Sequence, residues 1–232
     1  MEINNLIIEN GVLVDHNLSS EAPSNSAVIP KGTTAIGENV FRGIRNILSV
    51  IIPDGLRYIE DCAFQSCTGL KSIIIPSSVT SIGNLAFEYC EGLETAIIME
   101  GVKSIGYSAF SNCDKLKSLT IPSSVTYIGD GAFFSCKNII SATIPAGVNA
   151  INTDTFSMCN SLQTVVIYDG VTSIGDTAFS YCENLETIII PVSVKSIAAD
   201  AFDSCGKLTI YAPSGSYAEQ YAKENGIPFI AQ

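Results

Sequence analysis

The sequence predicts an α/β repeat solenoid, because two residue types recur along its 232 residues at one interval. A phenylalanine stands every 23 residues, at Phe41, Phe64, Phe87, Phe110, Phe133, Phe156, Phe179 and Phe202. A cysteine follows three positions later in seven of the eight copies, and Ile44 takes its place in the first. Self-similarity at a period of roughly 20–50 residues indicates stacked coils that share one continuous core.

Residues 70–92 show the elements expected in each coil. The β-branched run Ile73-Ile74-Ile75 predicts a short strand, and Pro76 should end it because proline has no amide hydrogen for a ladder. Alternating polarity up to Ile82 predicts a second short strand. The spacing of Phe87 and Cys90 favours a helical turn. Because packed helices need about 8–10 Å and paired strands about 4.8 Å, the stack should bend with its strands on the concave face.

Different elements are predicted at the two ends. Residues 1–26 should form a capping hairpin and loop, 27–213 the eight 23-residue repeats, and 214–232 a capping helix and strand. Asn10-Gly11 lies between two apolar runs and favours a tight type I′ turn, whereas 15–26 is polar and predicts a loop. Ser216 and Glu219 have capping-box spacing and Gly226 suits a helix end, so a helix is predicted over 217–225. Two capped ends disfavour end-to-end association, so a monomer is expected.

Charge and hydropathy exclude several classes of partner. The net charge of −11 repels phosphate backbones and anionic lipid, so no nucleic acid partner is expected. No apolar run approaches about 18 residues, so membrane insertion is not expected either. The first residues lack the basic and apolar segments of a secretory signal, which leaves a cytoplasmic location open.

The cysteines are predicted to form a buried column of small apolar thiols. On a helical side, neighbouring Cα atoms would exceed the roughly 7 Å limit for a disulfide, and no C-x-x-C spacing suggests a metal site. Cys62 lies outside the column and should be more exposed than the other seven. A Cys62–Cys67 bridge and a reactive Cys62 thiol remain alternatives.

Catalytic chemistry has little support in the sequence. His16 is the only histidine, and it lies in the N-terminal segment. Glu94 and Glu186 are four coils apart, near 19 Å at about 4.8 Å per coil, which exceeds the about 5–9.5 Å of a glycosidase carboxylate pair. No catalytic residue, metal or cofactor is therefore predicted, and a glycan-acting enzyme is disfavoured.

The outer side of the first strands is the predicted binding surface. If Ile73 and Ile75 face inward, Ile74 faces out, and the same reasoning applies in every coil. The candidate residues are Ile74, Ile97, Thr120, Thr143, Val166, Ile189, Glu94, Lys117, Met99 and Tyr168. Strand propensity kept by repeat duplication could also explain the apolar column. Glu94 and Lys117 could simply pair across strands. Met99 and Tyr168 replace proline, and they could either contact a ligand or reflect sequence drift at a tolerant position.

The pattern L-x-x-I-x-I-P-x-x-V-T-S-I-G-x-x-A-F-x-x-C resembles the Treponema pallidum-type leucine-rich repeat of BspA-like bacterial surface proteins, over residues 28–213. The resemblance implies a curved right-handed stack with a parallel sheet on the concave face. It also implies a cell-surface or secreted, adhesin-like protein that binds a host or neighbouring-cell protein. An extended glycan is a second class of ligand, and an intracellular scaffold or regulator of the same fold is the alternative function.

Overall fold

The computed structural model describes residues 2–3, 6–16 and 25–232, and nearly all regular structure there is short β-strand. In chain order the elements are β1 Glu2–Ile3, β2 Leu6–Glu9, β3 Val12–His16, β4 Asn25–Val28, β5 Ala35–Ile36, β6 Ile47–Ile51, β7 Tyr58–Ile59, β8 Ser72–Ile75, β9 Ser81–Ile82, β10 Thr95–Ile98, β11 Ser104–Ile105, β12 Ser118–Thr120, β13 Tyr127–Ile128, β14 Ser141–Ile144, β15 Ala150–Ile151, β16 Thr164–Ile167, β17 Ser173–Ile174, β18 Thr187–Ile189, β19 Ser196–Ile197, β20 Thr209–Ala212, α1 Tyr217–Glu224 and β21 Phe229–Ala231.

The strands stack into two ladders, one for each strand of the coil. The first ladder runs β1-β4-β6-β8-β10-β12 and then β14-β16-β18-β20-β21, and the second runs β2-β3-β5-β7-β9-β11-β13 and then β15-β17-β19. Within a ladder the coils pair in parallel with the residue 23 positions on, as Ile73 does with Ala96. The prediction of stacked, in-register coils is confirmed.

The phenylalanines form one stack of rings through the core. Neighbouring ring centroids are 5.0–5.7 Å apart and the ring planes lie within 16° of parallel. From Phe41 to Phe179 these side chains are fully buried. Phe202 ends the stack against the edge of Tyr221 in α1, at 6.0 Å, so α1 covers the last coil.

The predicted helical turn around each phenylalanine is wrong. The segment 85–90 is a chain of turns in which Leu85 and Tyr89 have left-handed φ angles of 58° and 56°. Alternate amides bond between coils, as Phe87 N does to Ala109 O at 2.7 Å, whereas the amides between them close single turns, as Cys90 N does to Phe87 O at 3.1 Å. A donor used between coils cannot also close a helical turn. Within the described residues, α1 is the only α-helix.

This correction changes the fold class and the basis of the predicted bend. The molecule is a parallel β-solenoid rather than an α/β one, with a third ladder of hydrogen bonds on the turn side. The ring spacing there is 5.0–5.7 Å instead of a helical spacing, against about 4.8 Å between paired strands. The predicted spacing mismatch is therefore mostly absent, and it gives no cause for placing the strands on a concave face.

The N-terminal hairpin agrees with its prediction. β2 and β3 are antiparallel, and Asn10 and Gly11 both have positive φ angles, 50° and 83°. β3 also pairs in parallel with β5, which joins the hairpin to the second ladder. The two ends of the predicted loop 15–26 are strand instead, because β3 extends to His16 and β4 begins at Asn25. Its middle, 17–24, lies outside the described residues.

The C-terminal helix also agrees with its prediction. Ser216 Oγ accepts a hydrogen bond from Glu219 N at 3.3 Å, and Gly226 has a φ of 67° just past the helix end. The returning bond differs from a capping box, because Glu219 Oε2 accepts from Gly215 N at 2.6 Å rather than from the cap residue. β21 then pairs in parallel with β20.

Candidate functional site

The first-ladder strands present alternate side chains to the core and to solvent. In β8, Ile73 and Ile75 are buried, whereas 55% of Ile74 is exposed. Ile97 and Ile51 lie in the same column and are 49% and 58% exposed. Ile97 is directly paired with Ile74 on one side and Thr120 on the other. We call this column the outward row; its members are Ile51, Ile74, Ile97, Thr120, Thr143, Val166 and Ile189.

The outward row continues past the middle of the array. Thr120 and Thr143 are exposed, and Val166 and Ile189 are half-buried. Val166 pairs with Thr143 and with Ile189, so these side chains follow one another at strand spacing. The row is isoleucine at one end, threonine in the middle and mixed β-branched at the other end.

Two residues that sequence reasoning missed extend the row at its C-terminal end. Ile189 pairs with Tyr211, and Tyr211 pairs with Ile230, of which 48% is exposed. Tyr211 falls in a coil shortened by one residue and Ile230 belongs to no repeat. Counting by 23 therefore could not find either residue.

Glu94 and Lys117 are occupied with each other at the start of these strands. Lys117 Nζ lies 3.2 Å from Glu94 Oε2, and both side chains are substantially exposed. The hydrogen bond from Lys117, together with its charge, lowers the pKa of Glu94. This is the cross-strand pair that the alternating charges suggested, and it borders the outward row.

Met99 and Tyr168 lie at the far end of the first-ladder strands, where most coils have proline. Met99 N donates to Ile75 O and Tyr168 N to Ile144 O, both at 3.0 Å. Proline could not make either bond, so each replacement lengthens the ladder by one rung. Their side chains are 45% and 55% exposed and stand three coils apart along the same edge, since 168 − 99 = 69 = 3 × 23.

The cysteine column has a specific role in stacking. All eight cysteines are free thiols. In seven of them Sγ donates to the phenylalanine carbonyl 26 residues earlier, at 3.0–3.3 Å. Burial raises the pKa of Cys67 and Cys136 to about 12. The coils pack closer on this side than predicted, so the distance argument against disulfides fails. The thiols are instead held apart from one another by their hydrogen bonds to the phenylalanine carbonyls.

The prediction of a single accessible thiol needs correction. Cys62 is half-buried with a left-handed φ of 55°. Cys205 in the last coil is half-buried too. Burial raises the pKa of both, that of Cys205 to about 11. Two thiols are therefore partly accessible.

The described residues bring together little catalytic or metal-binding chemistry. Among them, no group of three or more His, Cys, Asp or Glu side chains could hold a metal ion. Glu94 and Glu186 are four coils apart along the first ladder, since 186 − 94 = 92 = 4 × 23. Shallow cavities of about 300 Å³ lie elsewhere, beside Tyr58 and beside Tyr89 and Tyr107. In the part of the chain that the structure describes, no helix is long and apolar enough to cross a bilayer.

Comparison with known proteins gives a family and a fold. The family model described as "BspA type Leucine rich repeat region" matches residues 18–140 and 86–209, in six copies. The crystal structure of the T. pallidum leucine-rich repeat protein superposes with a TM-score of 0.68 at 26% identity, covering 75% of this chain and 82% of that one. None of the curated protein sequences matches this chain.

Two further solved structures are similar to this chain at lower TM-scores. A leucine-rich cell surface protein from Faecalibacterium prausnitzii is 21% identical with a TM-score of 0.42 and covers 94% of each chain. The pneumococcal vaccine antigen PcpA is 17% identical with a TM-score of 0.48, covering 100% of this chain and 84% of that one. Superpositions this loose carry no argument about function.

Proposed function

Because this chain belongs to the BspA-type leucine-rich repeat family, we propose that it is a binding module that holds a partner protein against its outward row. The observation that carries the proposal is the exposure of Ile51, Ile74 and Ile97 in register on three neighbouring strands. An ordered apolar strip on a polar surface is typical of a protein–protein contact. At the opposite end of the outward row, beyond Thr120 and Thr143, Tyr211 and Ile230 add two further rungs.

The shape of this face favours a protein partner over a small molecule. Small-molecule sites are concave and enclose most of their ligand, whereas the cavities described above lie away from the outward row. A sheet face that spans several coils instead offers a broad surface of the kind that protein interfaces need. An extended glycan needs polar and aromatic partners, which the row has only beyond Ile97, at Thr120, Thr143 and Tyr211. The three side chains at its N-terminal end are all isoleucine.

Photo-crosslinking of a partner protein from a residue of the outward row tests this proposal. A photo-crosslinking residue replaces Ile97 in one variant and Val192 in another; Val192 is 53% exposed but lies outside the row. We expect the Ile97 position to capture a discrete protein that the Val192 position does not. The purified partner should then bind wild type at least about tenfold more tightly than Ile74→Glu/Ile97→Glu, because a charge would be buried at the contact. Equal capture at both positions, or unchanged affinity, contradicts the proposal.

We further propose that the protein is displayed at a bacterial cell surface or secreted, as an adhesin-like module. The family resemblance supports this location. The intracellular scaffold is kept as an alternative because the seven stacking thiols act as hydrogen-bond donors and so must stay reduced. Protease treatment of intact cells separates the two: loss of the protein supports surface display, and survival until lysis supports the alternative.

A further inference from the structure

Besides the pairing of the strands, three backbone hydrogen bonds recur on the strand side between neighbouring coils in the middle of the array. Between the coils of Phe110 and Phe133 they run from Lys117 N to Glu94 O, Thr126 N to Lys103 O and Gly129 N to Ile105 O, at 2.9–3.2 Å. Between the coils of Phe156 and Phe179 they run from Gln163 N to Ile140 O, Thr172 N to Asn149 O and Gly175 N to Ile151 O, at 2.7–2.8 Å.

All three bonds are missing at one junction, between the Phe133 coil (116–138) and the Phe156 coil (139–161). The preceding coil accepts no hydrogen bond from the backbone amides of Ile140, Asn149 and Asn152. Both ladders stop at the same place, since β12 does not pair with β14 and β13 does not pair with β15. Among the coils that the structure describes, no other junction loses all three.

The turn side of this junction is intact. Gly131 N donates to Thr153 O at 2.8 Å, and Phe133 N donates to Thr155 O at 2.9 Å. Cys159 Sγ donates to Phe133 O at 3.2 Å, and the rings of Phe133 and Phe156 are 5.2 Å apart. The two coils are therefore hydrogen-bonded along the turn side, whereas on the strand side they remain neighbours without ladder bonds.

Asn152 occupies the position that explains the gap. The equivalent residues are Gly83, Gly106 and Gly129, where an added Cβ would come within 2.5–2.6 Å of the preceding coil's backbone. Asn152 carries a Cβ there, and its Nδ2 donates to Ile128 O at 2.6 Å. That carbonyl is the acceptor that the Asn152 amide would use in a regular ladder.

A Cβ alone does not open a junction. Glu60 and Ala198 stand in the same column, yet Glu60 N still donates to Ile36 O and Ala198 N to Ile174 O, both at 2.9 Å. What distinguishes Asn152 is its carboxamide, which replaces the backbone as the donor to the carbonyl of the coil before.

We propose that this junction is a hinge, in which the spacing of the two coils on the strand side varies while the turn-side hydrogen bonds hold. The Asn152 carboxamide prevents the ladder bond from forming there, because it occupies the Ile128 carbonyl. The array then consists of two stiff halves that meet at the Phe133 and Phe156 coils. An opening here breaks no ladder hydrogen bond, so it costs less than at the other junctions. It stays small, because Ile144, Val148 and Ile151 are buried at this junction.

The hinge divides the proposed binding face, a consequence that depends on the proposed function. Thr120 and Thr143 flank the gap, with the isoleucines of the outward row on one side and Val166 and Ile189 on the other. Opening changes the angle between the two parts of the row, so one surface could fit partners of different curvature.

Distance distributions between paired spin labels test the hinge without any partner, so the outcome is separate from that of the binding proposal. Labels on genetically encoded ketone residues avoid the native thiols. One pair replaces Ile97 and Val166 and spans the junction; the other replaces Ile51 and Thr120, also three coils apart. We expect the spanning pair to give a clearly broader distribution, which narrows to that of the control pair in Asn152→Ala.

Amide hydrogen exchange gives an independent readout. We expect Ile140 and Asn149 to exchange at least about tenfold faster than Gln163 and Thr172 one coil later, and Asn152→Ala to slow them. Asn184→Ala is the matched control, because Asn184 Nδ2 also bonds a carbonyl of the coil before, Asn160 O, at 2.7 Å, and it should leave Asn149 exchange unchanged. Equal label distributions in wild type, or distributions and exchange unaffected by Asn152→Ala, overturn the proposal.

Discussion

The carboxylate of Glu100 accepts hydrogen bonds from both the amide and the hydroxyl of Ser123, which lies 23 residues later in the next coil. The Ser123 N to Glu100 Oε1 distance is 2.9 Å, and the hydroxyl lies 3.1 Å from each carboxylate oxygen. Ser124 N donates to Oε2 at 3.0 Å. Glu100, which follows the proline replacement Met99, thus caps the turn of the next coil.

Replacing Glu100 should make the stability of the protein less dependent on pH in the acid range. The hydrogen bonds from Ser123 lower the pKa of Glu100 below its ordinary value of 4.5. A lowered folded-state pKa stabilises the protein above the unfolded pKa, and this contribution is lost as pH falls through the folded one. We expect Glu100→Gln to lower the melting temperature by a few degrees at pH 7, with the difference shrinking below about pH 4. Glu186→Gln, an exposed acid on the same ladder, is the control; an equal pH dependence in both variants would contradict the assignment.

Removing one ring from the middle of the stack should be costly. Phe133 is fully buried between two parallel rings, so Phe133→Ala should cost about 3–5 kcal/mol in unfolding free energy. Phe134 is its matched control, because it is the next residue and is only half-buried. Urea denaturation of both variants checks the prediction, and similar losses would count against the stack as the core.

The thiols should react in an order set by their burial. At pH 8 we expect Cys62 and Cys205 to react slowly with an aromatic disulfide, and the other six only on unfolding. Reaction needs the thiolate, and burial raises the pKa of Cys67 and Cys136 to about 12. A Cys62→Ser variant should lose the reaction of one of these two thiols and keep that of Cys205. Rapid reaction of more than two thiols in the folded protein would contradict the burial of the cysteine column.

The same shifts predict loss of stability in alkali. A folded-state pKa raised above the ordinary 9.0 of a thiol stabilises the protein fully below that value. The contribution is lost as pH rises from about 9 towards the folded pKa. Cys136→Ala should flatten this alkaline decline while lowering stability at pH 7, because its hydrogen bond to Phe110 O is removed. Urea titrations at pH 7 and pH 10 measure both effects.

Gly101 should tolerate no side chain. Its φ is +130°, and an added Cβ would overlap the Ser77 carbonyl oxygen of the preceding coil. Gly101→Ala should therefore destabilise the protein by at least about 1–3 kcal/mol. Gly206 has open space around it, so Gly206→Ala should be close to neutral. Equal melting temperatures for the two variants would contradict the close coil-to-coil approach at Gly101.

Repetition explains how much of the fold was predictable. Identical residues at one spacing must occupy equivalent places if the coils stack, so the burial of Ile73 and the exposure of Ile74 follow from strand alternation alone. The helical turn was wrong because Phe87 and Cys90 also share a face in a turn whose alternate amides, such as that of Phe87, bond the next coil. Local spacing contains no information about which acceptor an amide will find.

The sequence by itself determined the register of the repeated coils and the Phe and Cys columns, because each of these depends only on a residue's position within its repeat. Tertiary structure alone decided the turn-side ladder, the addition of Tyr211 and Ile230 to the outward row, and the gap at Asn152. These features depend on distances between neighbouring coils, and a hydrogen bond forms only where a donor and an acceptor are brought within about 3 Å.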